Sequence, residues 1–217
     1  MSKLVVVVGA GKGMGNHIAE RFAQEGFKVV LMARRQTALD EYVAEFAAKG
    51  YEAYSKVVDV ADSNSLTTAL NEIQTDFGVV DVLVYNAALM QGGKLTEMSS
   101  DELMKHYQID VASALHCVHQ VLPKQIEQHS GALLFTGGLF GVHPNENLDY
   151  AGISIGKTAL RSMTLMLNTE LKDKGIYSGI VQIMGVVGSN EHLSPKNIAE
   201  AYWKLYKTQN NFEYIYN

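Results

Sequence analysis

The sequence predicts an α/β fold, a single doubly wound and mainly parallel sheet of about seven strands with helices on both faces. Three observations carry this prediction. Apolar, β-branched runs alternate with helical patterns along the whole length. The first such run ends in a cluster of glycines that opens directly into a helical stripe. No proline- or serine-rich linker, repeat or low-complexity stretch interrupts the order, so residues 1–217 read as one domain.

Lys3 to Val8 is almost uniformly apolar, as a strand buried on both faces should be, and belongs in the middle of the sheet. Asn16 to Glu25 follows as a helix whose apolar stripe is Ile18, Ala19, Phe22 and Ala23, with Gly26 as its left-handed stop. Lys28 to Met32 is the second strand. Thr37 to Lys49 reads as a helix ended by Gly50, Tyr51 to Val58 as a strand, and Ser63 to Phe77 as a helix ended by Gly78. Val79 to Tyr85 is another buried strand. Ser99 or Ser100 then caps a helical pattern that runs from Asp101 to about Gln128 with a break near Asp110. Gly131 to Thr136 is a strand, followed by a loop that begins with Gly137-Gly138. A long helix starts at Tyr150 or Ile153 and ends at Lys172, before Gly175. Ile176 to Ile183 is a strand, Pro195 to Tyr206 a helix with proline in its first turn, and Phe212 to Tyr216 a final alternating strand.

The glycine cluster is Gly9-Ala10-Gly11-Lys12-Gly13-Met14-Gly15, spaced G-x-x-x-G-x-G from Gly9. Strand, glycine turn and helix in that order make a pyrophosphate cradle: the glycines let the backbone approach the ligand, and the helix start presents unpaired N–H groups. The fold is then of Rossmann type, with ligands at the C-terminal ends of the strands. Arg34 and Arg35 follow the second strand, where a carboxylate would favour a free ribose 2′-hydroxyl and an arginine favours a 2′-phosphate. With Lys12 they favour NADP(H) over NAD(H); the alternative is that both arginines are solvated charges at a helix entry. Asp59 and Val60 end the third strand, where they meet an adenine ring or simply cap a turn. Asn86-Ala87-Ala88 and Gly185-Val186-Val187 end later strands and permit close approach to the same cofactor.

Composition narrows the classes of partner. An apolar fraction of 47%, 19% charged residues and a net charge of −5 describe an ordinary globular chain without a basic footprint for nucleic acid. The apolar runs are too short to cross a bilayer, and no signal-peptide pattern precedes the first strand, so a cytoplasmic protein is expected. One cysteine, Cys117, excludes an internal disulfide and reads as a small helix residue. His116 and His119 lie three apart but lack a third ligand, so no metal site is expected; with His106 and His129 they read as surface or interface histidines.

These motifs together resemble the short-chain dehydrogenase/reductase family over essentially the whole chain. The glycine loop looks like that family's T-G-x-x-x-G-x-G with Val8 for threonine, and Asn86-Ala87-Ala88 like its N-A-G. The stretch from Lys157 to Arg161 resembles the segment opening with the active-site lysine, and Met184-Gly185 resembles its P-G. The resemblance implies hydride transfer between a nicotinamide and a carbonyl or alcohol. It also implies a tyrosine proton donor tuned by lysine, a serine that polarises the carbonyl, and an asparagine in a proton relay. Lys157 matches. Ile153 stands at the tyrosine position of Y-x-x-x-K, Gly138 at the serine and Asp110 at the asparagine, so three of the four chemical positions depart from the family's pattern.

Tyr150 stands seven residues before Lys157, two helical turns away, and is the nearest phenol; a helix beginning after Gly152 would let it swing inward. Ser154, Thr136 and His143 are the other nearby hydroxyl or imidazole candidates, each with an ordinary structural use. Lys157, Tyr150, Ser154 and Asp110 are accordingly the candidate catalytic residues. The stretch after Gly188 is short, which implies a shallow, permissive pocket for a small carbonyl or alcohol. Two readings follow: an NADP(H)-dependent oxidoreductase, or a catalytically weak or inactive NADP(H)-binding protein with a sensing or partner-binding role. The resembled family implies a homodimer or homotetramer through the long helices at 101–128 and 153–172.

Overall fold

In a computed structural model, which describes residues 2–217, seven strands form one sheet. They are β1 (Leu4–Val8), β2 (Lys28–Ala33), β3 (Ala53–Val57), β4 (Val82–Tyr85), β5 (Gly131–Gly138), β6 (Ile176–Ile183) and β7 (Glu213–Tyr216). The order across the sheet is β3-β2-β1-β4-β5-β6-β7, and every neighbouring pair is parallel. The chain winds outward from β1 to β3, then returns to lay β4 against the other side of β1. That reversal opens a crevice at the strand ends between β1 and β4.

Alternate residues of β1 explain why its sequence is apolar throughout. Val5 and Val7 point to one face, under α1 (Met14–Ala23), α2 (Gln36–Ala48) and α8 (Pro195–Thr208). Leu4, Val6 and Val8 point to the other, under α3 (Ser63–Phe77), α5 (Ser113–Glu127) and α7 (Ala151–Leu171). A strand buried on both faces has no solvent side to make polar.

Between β4 and β5, α4 (Ser100–Tyr107) starts from Ser99, whose hydroxyl accepts the Glu102 N–H while the Glu102 carboxylate accepts the Ser99 N–H. The break expected near Asp110 is a π-helical segment, Gln108–Ala112, which joins α4 to α5. A π turn takes a carbonyl out of the regular ladder. The Tyr85 hydroxyl of β4 donates to the Ile109 carbonyl at 2.5 Å, which holds this segment onto the sheet.

Three local expectations are corrected. Gly137 and Gly138 are not loop: they extend β5 and pair with Gln182 and Ile183 of β6. The reason is the buried Gln182 side chain, whose Oε1 accepts the Gly138 N–H at 2.7 Å in the space that a Cβ on Gly137 would take. The following residues form a single helical turn, α6 (Leu139–Val142). The long helix begins at Ala151, so Gly152 lies inside it and Tyr150 is its N-terminal cap residue, with φ −127° and ψ 42°. His106 is not at the surface. It is 1% exposed because Gly152 leaves room for its ring against α7.

At the far edge, Gln182 Nε2 donates to Glu213 at 2.9 Å, and Glu213 receives a two-pronged pair from Arg161 at 2.7 and 2.8 Å. The Arg161 hydrogen bonds hold the Glu213 carboxyl below the usual range, against the opposing effect of burial. This chain of contacts fastens the short strand β7 to β6 and α7.

Candidate active site

A cavity of about 860 Å³ runs along the C-terminal ends of the strands, within the range of ligand sites. One end is formed by Arg34, Asp59 and Val60, the middle by Gly9, Ala10 and Asn86, and the other by Lys157, Tyr150 and Gly185. Residues from six separate loops meet here only because parallel strands carry their ends to one edge.

The middle is set by backbone packing. Gly9 has φ +92°, and a Cβ there would lie 2.5 Å from the Ala87 nitrogen. Gly15 is likewise closed, packed on the Gly9 carbonyl. Gly11 and Gly13 differ: a Cβ on either would meet nothing within 4 Å. The first pair thus builds the turn, and the second leaves its outer surface bare. Gly13 caps α1 without any side-chain hydrogen bond, and no acidic residue stands in the first turn; the Asn16 N–H is taken by the Gly11 carbonyl at 3.0 Å.

A hydrogen-bond chain ties this loop to the opposite end. The Tyr202 hydroxyl on α8 donates to Thr136 Oγ1 at 2.7 Å, and Thr136 donates to Asn86 Oδ1 at 2.9 Å. Asn86 Nδ2 then donates to the Gly9 carbonyl at 2.9 Å. Asn86 therefore fastens β1, β4 and β5 together. The Thr136 carbonyl accepts from Lys157 Nζ at 2.7 Å, so the lysine is held by the same strand end.

The predicted cofactor residues divide by placement. Gly9, Met14, Arg34, Asp59, Val60, Asn86, Ala87, Ala88, Lys157, Gly185, Val186 and Val187 all line the cavity. Gly11, Lys12, Gly13, Gly15 and Arg35 do not. Lys12 lies in an exposed ion pair with Glu41 at 3.5 Å on α2, and Arg35 is the residue that caps α2. Asp59 accepts the Ala61 N–H at 3.0 Å while facing the cavity, and the cap of α3 is Asp62, so turn and wall are both its places.

The four catalytic candidates are likewise separated. Lys157 lines the cavity and is 5% exposed, and burial lowers its pKa against the opposing charge of Asp110. Tyr150 lines the mouth, its ring 5.5 Å from that of Phe140. Ser154 is turned away: its hydroxyl donates to the Tyr150 carbonyl at 3.0 Å, the back-bond that serines in helices commonly make. Asp110 is wholly buried behind the wall. Its Oδ1 accepts the Leu89 N–H at 2.9 Å, and burial raises its pKa although Lys157, that N–H and His106 all oppose the rise. His143 is exposed and lies outside the cavity wall.

Ile153 and Gly138 complete the wall on either side of Lys157, and neither brings a hydroxyl. Around them Leu89, Met90, Leu139 and Phe140 make that end apolar. Residue reading did not single these four out; the one available signal was their place just after β4 and β5. Among the described residues no group of three or more His, Cys, Asp or Glu could hold a metal, and no helix is long and apolar enough to cross a membrane.

A nicotinamide dinucleotide fits these residues. Gly9 and Ala10 line the middle, where a pyrophosphate needs backbone, Arg34 lines the adenosine end, and Lys157 lines the other end of one continuous cavity.

Fold and site together define a doubly wound nucleotide-binding protein with a buried lysine at one end of its cavity. The chain belongs to the short-chain dehydrogenase family, whose model, described as short chain dehydrogenase, matches residues 3–192. It is 33% identical over 177 residues to a diacetyl reductase [(S)-acetoin forming] of Staphylococcus epidermidis, covering 81% of this chain and 68% of that one. It is 31% identical over 210 residues to an uncharacterized oxidoreductase of Staphylococcus saprophyticus, covering 92% and 88%. Among solved structures, a metagenomic short-chain oxidoreductase in complex with NADP superposes with a TM-score of 0.87 at 26% identity, covering 99% of this chain and 97% of that one.

Proposed function

We propose that this protein is an NADP(H)-dependent oxidoreductase that transfers a hydride between the nicotinamide and a small carbonyl or alcohol. One observation carries the reading: a single cavity joins the glycine turn and Arg34 to Lys157, with an apolar recess beside Lys157. The NADP held by the metagenomic relative and the activity for which the diacetyl reductase is named support it. Bound NADPH supplies the hydride. The chain's own residues position the reaction: Asn86 and Thr136 hold the strand ends that carry the loop and Lys157, and Leu139, Phe140 and Ile153 exclude water from the recess. Holding a carbonyl beside the cofactor is itself a large part of rate enhancement, which is why the loss of two hydroxyls from the wall does not abolish the reading.

The test is NADPH oxidation over a panel of aldehydes, diketones and quinones, diacetyl included. Turnover of at least one class is expected. NADPH binding with no turnover of any member would overturn the enzyme reading in favour of a sensing or partner-binding protein, which Gly138 and Ile153 favour because neither carries a proton.

The 2′-phosphate argument has its own outcome. Arg34→Ala should weaken NADPH by roughly ten- to a hundredfold, since a charge-assisted hydrogen bond contributes ~1.5–3 kcal/mol, and should leave NADH within about twofold. Equal losses by fluorescence titration would show that Arg34 does not meet a 2′-phosphate.

A further inference from the structure

We propose that the apolar recess beside Lys157 takes a quinone and that the site reduces it by two electrons to the hydroquinone. The inference rests on the oxidoreductase reading and names its substrate class.

The walls set the first limit. Phe140 and Tyr150 stand side by side, ring centroids 5.5 Å apart and planes tilted by 42°, and Leu139, Ile153 and Met90 join them on the cavity wall. Aromatic and thioether groups favour a flat ring, which stacks offset on the first and meets the soft sulfur of the second. The apolar lining continues to the mouth, where Met90 is 63% and Val186 75% exposed. Exposed apolar groups around a cavity mark the entry of an apolar ligand. Besides Lys157, the charged residues of the wall are Arg34 and Asp59, both at the opposite end.

Proton supply sets the second limit. The Thr136 hydroxyl is committed to Asn86, the Asn86 amide to the Gly9 carbonyl, and the Gly138 N–H to Gln182. Ile153 and Gly138 carry no hydroxyl. Tyr150 is held at the mouth by the Phe140 ring and by its chain neighbours. The Gly93 N–H donates to the Asp149 carbonyl at 2.6 Å, and the Ala151 N–H to the Gly93 carbonyl at 3.1 Å. Lys157 gives one N–H to the Thr136 carbonyl and keeps two, which steady an oxyanion by hydrogen bonding. A ketone reduced here leaves an alkoxide about as basic as hydroxide, whose parent acid has a pKa of about 15.7, and it needs a proton as it forms. A quinone leaves a phenolate, whose parent acid has a pKa of about 10. A wall without a free hydroxyl beside the reacting oxygen suits the second product.

The reduction balances without a proton donor on the wall. Hydride addition to one quinone oxygen forms an O–H bond. The π pairs shift through the ring, which becomes aromatic, and the pair of the opposite C=O comes to rest on its oxygen as phenolate. That oxygen takes a proton from water at the mouth as the product leaves. The quinone is reduced, NADPH is oxidised to NADP⁺, and one proton is consumed.

The test follows NADPH oxidation, without oxygen and corrected for the uncatalysed reaction, with duroquinone, diacetyl and cyclohexanone. Cyclohexanone has a ring without the stabilised anion, and diacetyl an activated carbonyl without the ring. For duroquinone kcat/KM should exceed that of either by more than about tenfold, and its solvent isotope effect should stay below about 1.5 because no enzyme proton moves with the hydride. Phe140→Ala should raise KM for duroquinone about fivefold with kcat within about twofold. Calorimetric titration of duroquinone into the NADP⁺-loaded protein gives a readout apart from turnover, and affinity there should fall by the same factor in Phe140→Ala. A smaller ratio, a larger isotope effect, or an unchanged KM and affinity in a variant that still binds NADPH would overturn the assignment. Turnover of diacetyl or cyclohexanone with duroquinone untouched would overturn it while leaving the oxidoreductase reading in place. No turnover of any of the three, or of the wider panel, by a protein that binds NADPH would overturn that reading itself.

Discussion

Gly9→Ala is expected to destabilise the protein by about 3 kcal/mol or more and to abolish measurable cofactor binding. Two costs combine. A Cβ at this position meets the Ala87 nitrogen at 2.5 Å, and overpacking of this kind costs ~1–3 kcal/mol. The backbone also stands at φ +92°, outside the region that L-residues favour, which adds ~1–2 kcal/mol. Neither cost relaxes easily, because the neighbour is the backbone of the β4 end and the Gly9 carbonyl is held by Asn86. Gly11→Ala is the informative contrast. Nothing of the protein lies within 4 Å of the added carbon, so urea denaturation should move by less than ~1 kcal/mol. NADPH affinity should stay within about twofold, because Gly11 lies outside the cavity wall. Equal loss of stability in the two variants would remove the distinction between glycines closed by packing and glycines that stand open.

Lys157→Met is expected to cost about 1–3 kcal/mol at pH 8, the usual result of leaving a buried acceptor, here the Thr136 carbonyl, without its donor, together with the loss of a positive charge that opposes the burial of Asp110. The methionine fills the volume, so the cost is polar: the Thr136 carbonyl loses its donor, and the Asp110 carboxylate is left with only His106 and the Leu89 N–H to oppose its burial. The sign of the pH dependence follows from linkage. Asp110 already has a folded pKa above its ordinary 3.8, because burial penalises the charge, and losing Lys157 removes an opposing effect and raises it further. Between 3.8 and that raised value the folded protein binds a proton that the unfolded chain does not, so stability grows as pH falls. The penalty should therefore be largest at alkaline pH and shrink on acidification. Urea denaturation of wild type and Lys157→Met at pH 8 and pH 5.5 measures it. A penalty equal at both values would show that Asp110 and Lys157 do not interact as charges.

Much of the molecule was legible in the residues. The seven strands and their helices follow from β-branched runs punctuated by Gly26, Gly50, Gly78 and Gly175, which sit in left-handed conformation where they end helices or open turns. The break near Asp110 was legible too, though not its π-helical form. Less legible were features that depend on a neighbour from a distant part of the chain. Gly137-Gly138 looks like a loop until Gln182 arrives from β6 to take the Gly138 N–H. Ser154 has the composition of a catalytic residue, and only the start of α7 turns its hydroxyl back onto the Tyr150 carbonyl. His106 reads as a surface histidine on a polar helix, and it is buried because Gly152, on another helix, leaves a gap for its ring.

The sequence by itself determined the alternation of strand and helix, the glycine turn after the first strand and the absence of a phenol at position 153, because each is a property of residues close together along the chain. Only the tertiary structure decided which glycines of the loop are closed and which stand open, that Lys12 pairs with Glu41 and lies outside the cavity wall, and that His106 and Asp110 are buried against Gly152 and Gly156 of α7. Those are distances across the sheet edge and between α4 and α7, and close packing sets them.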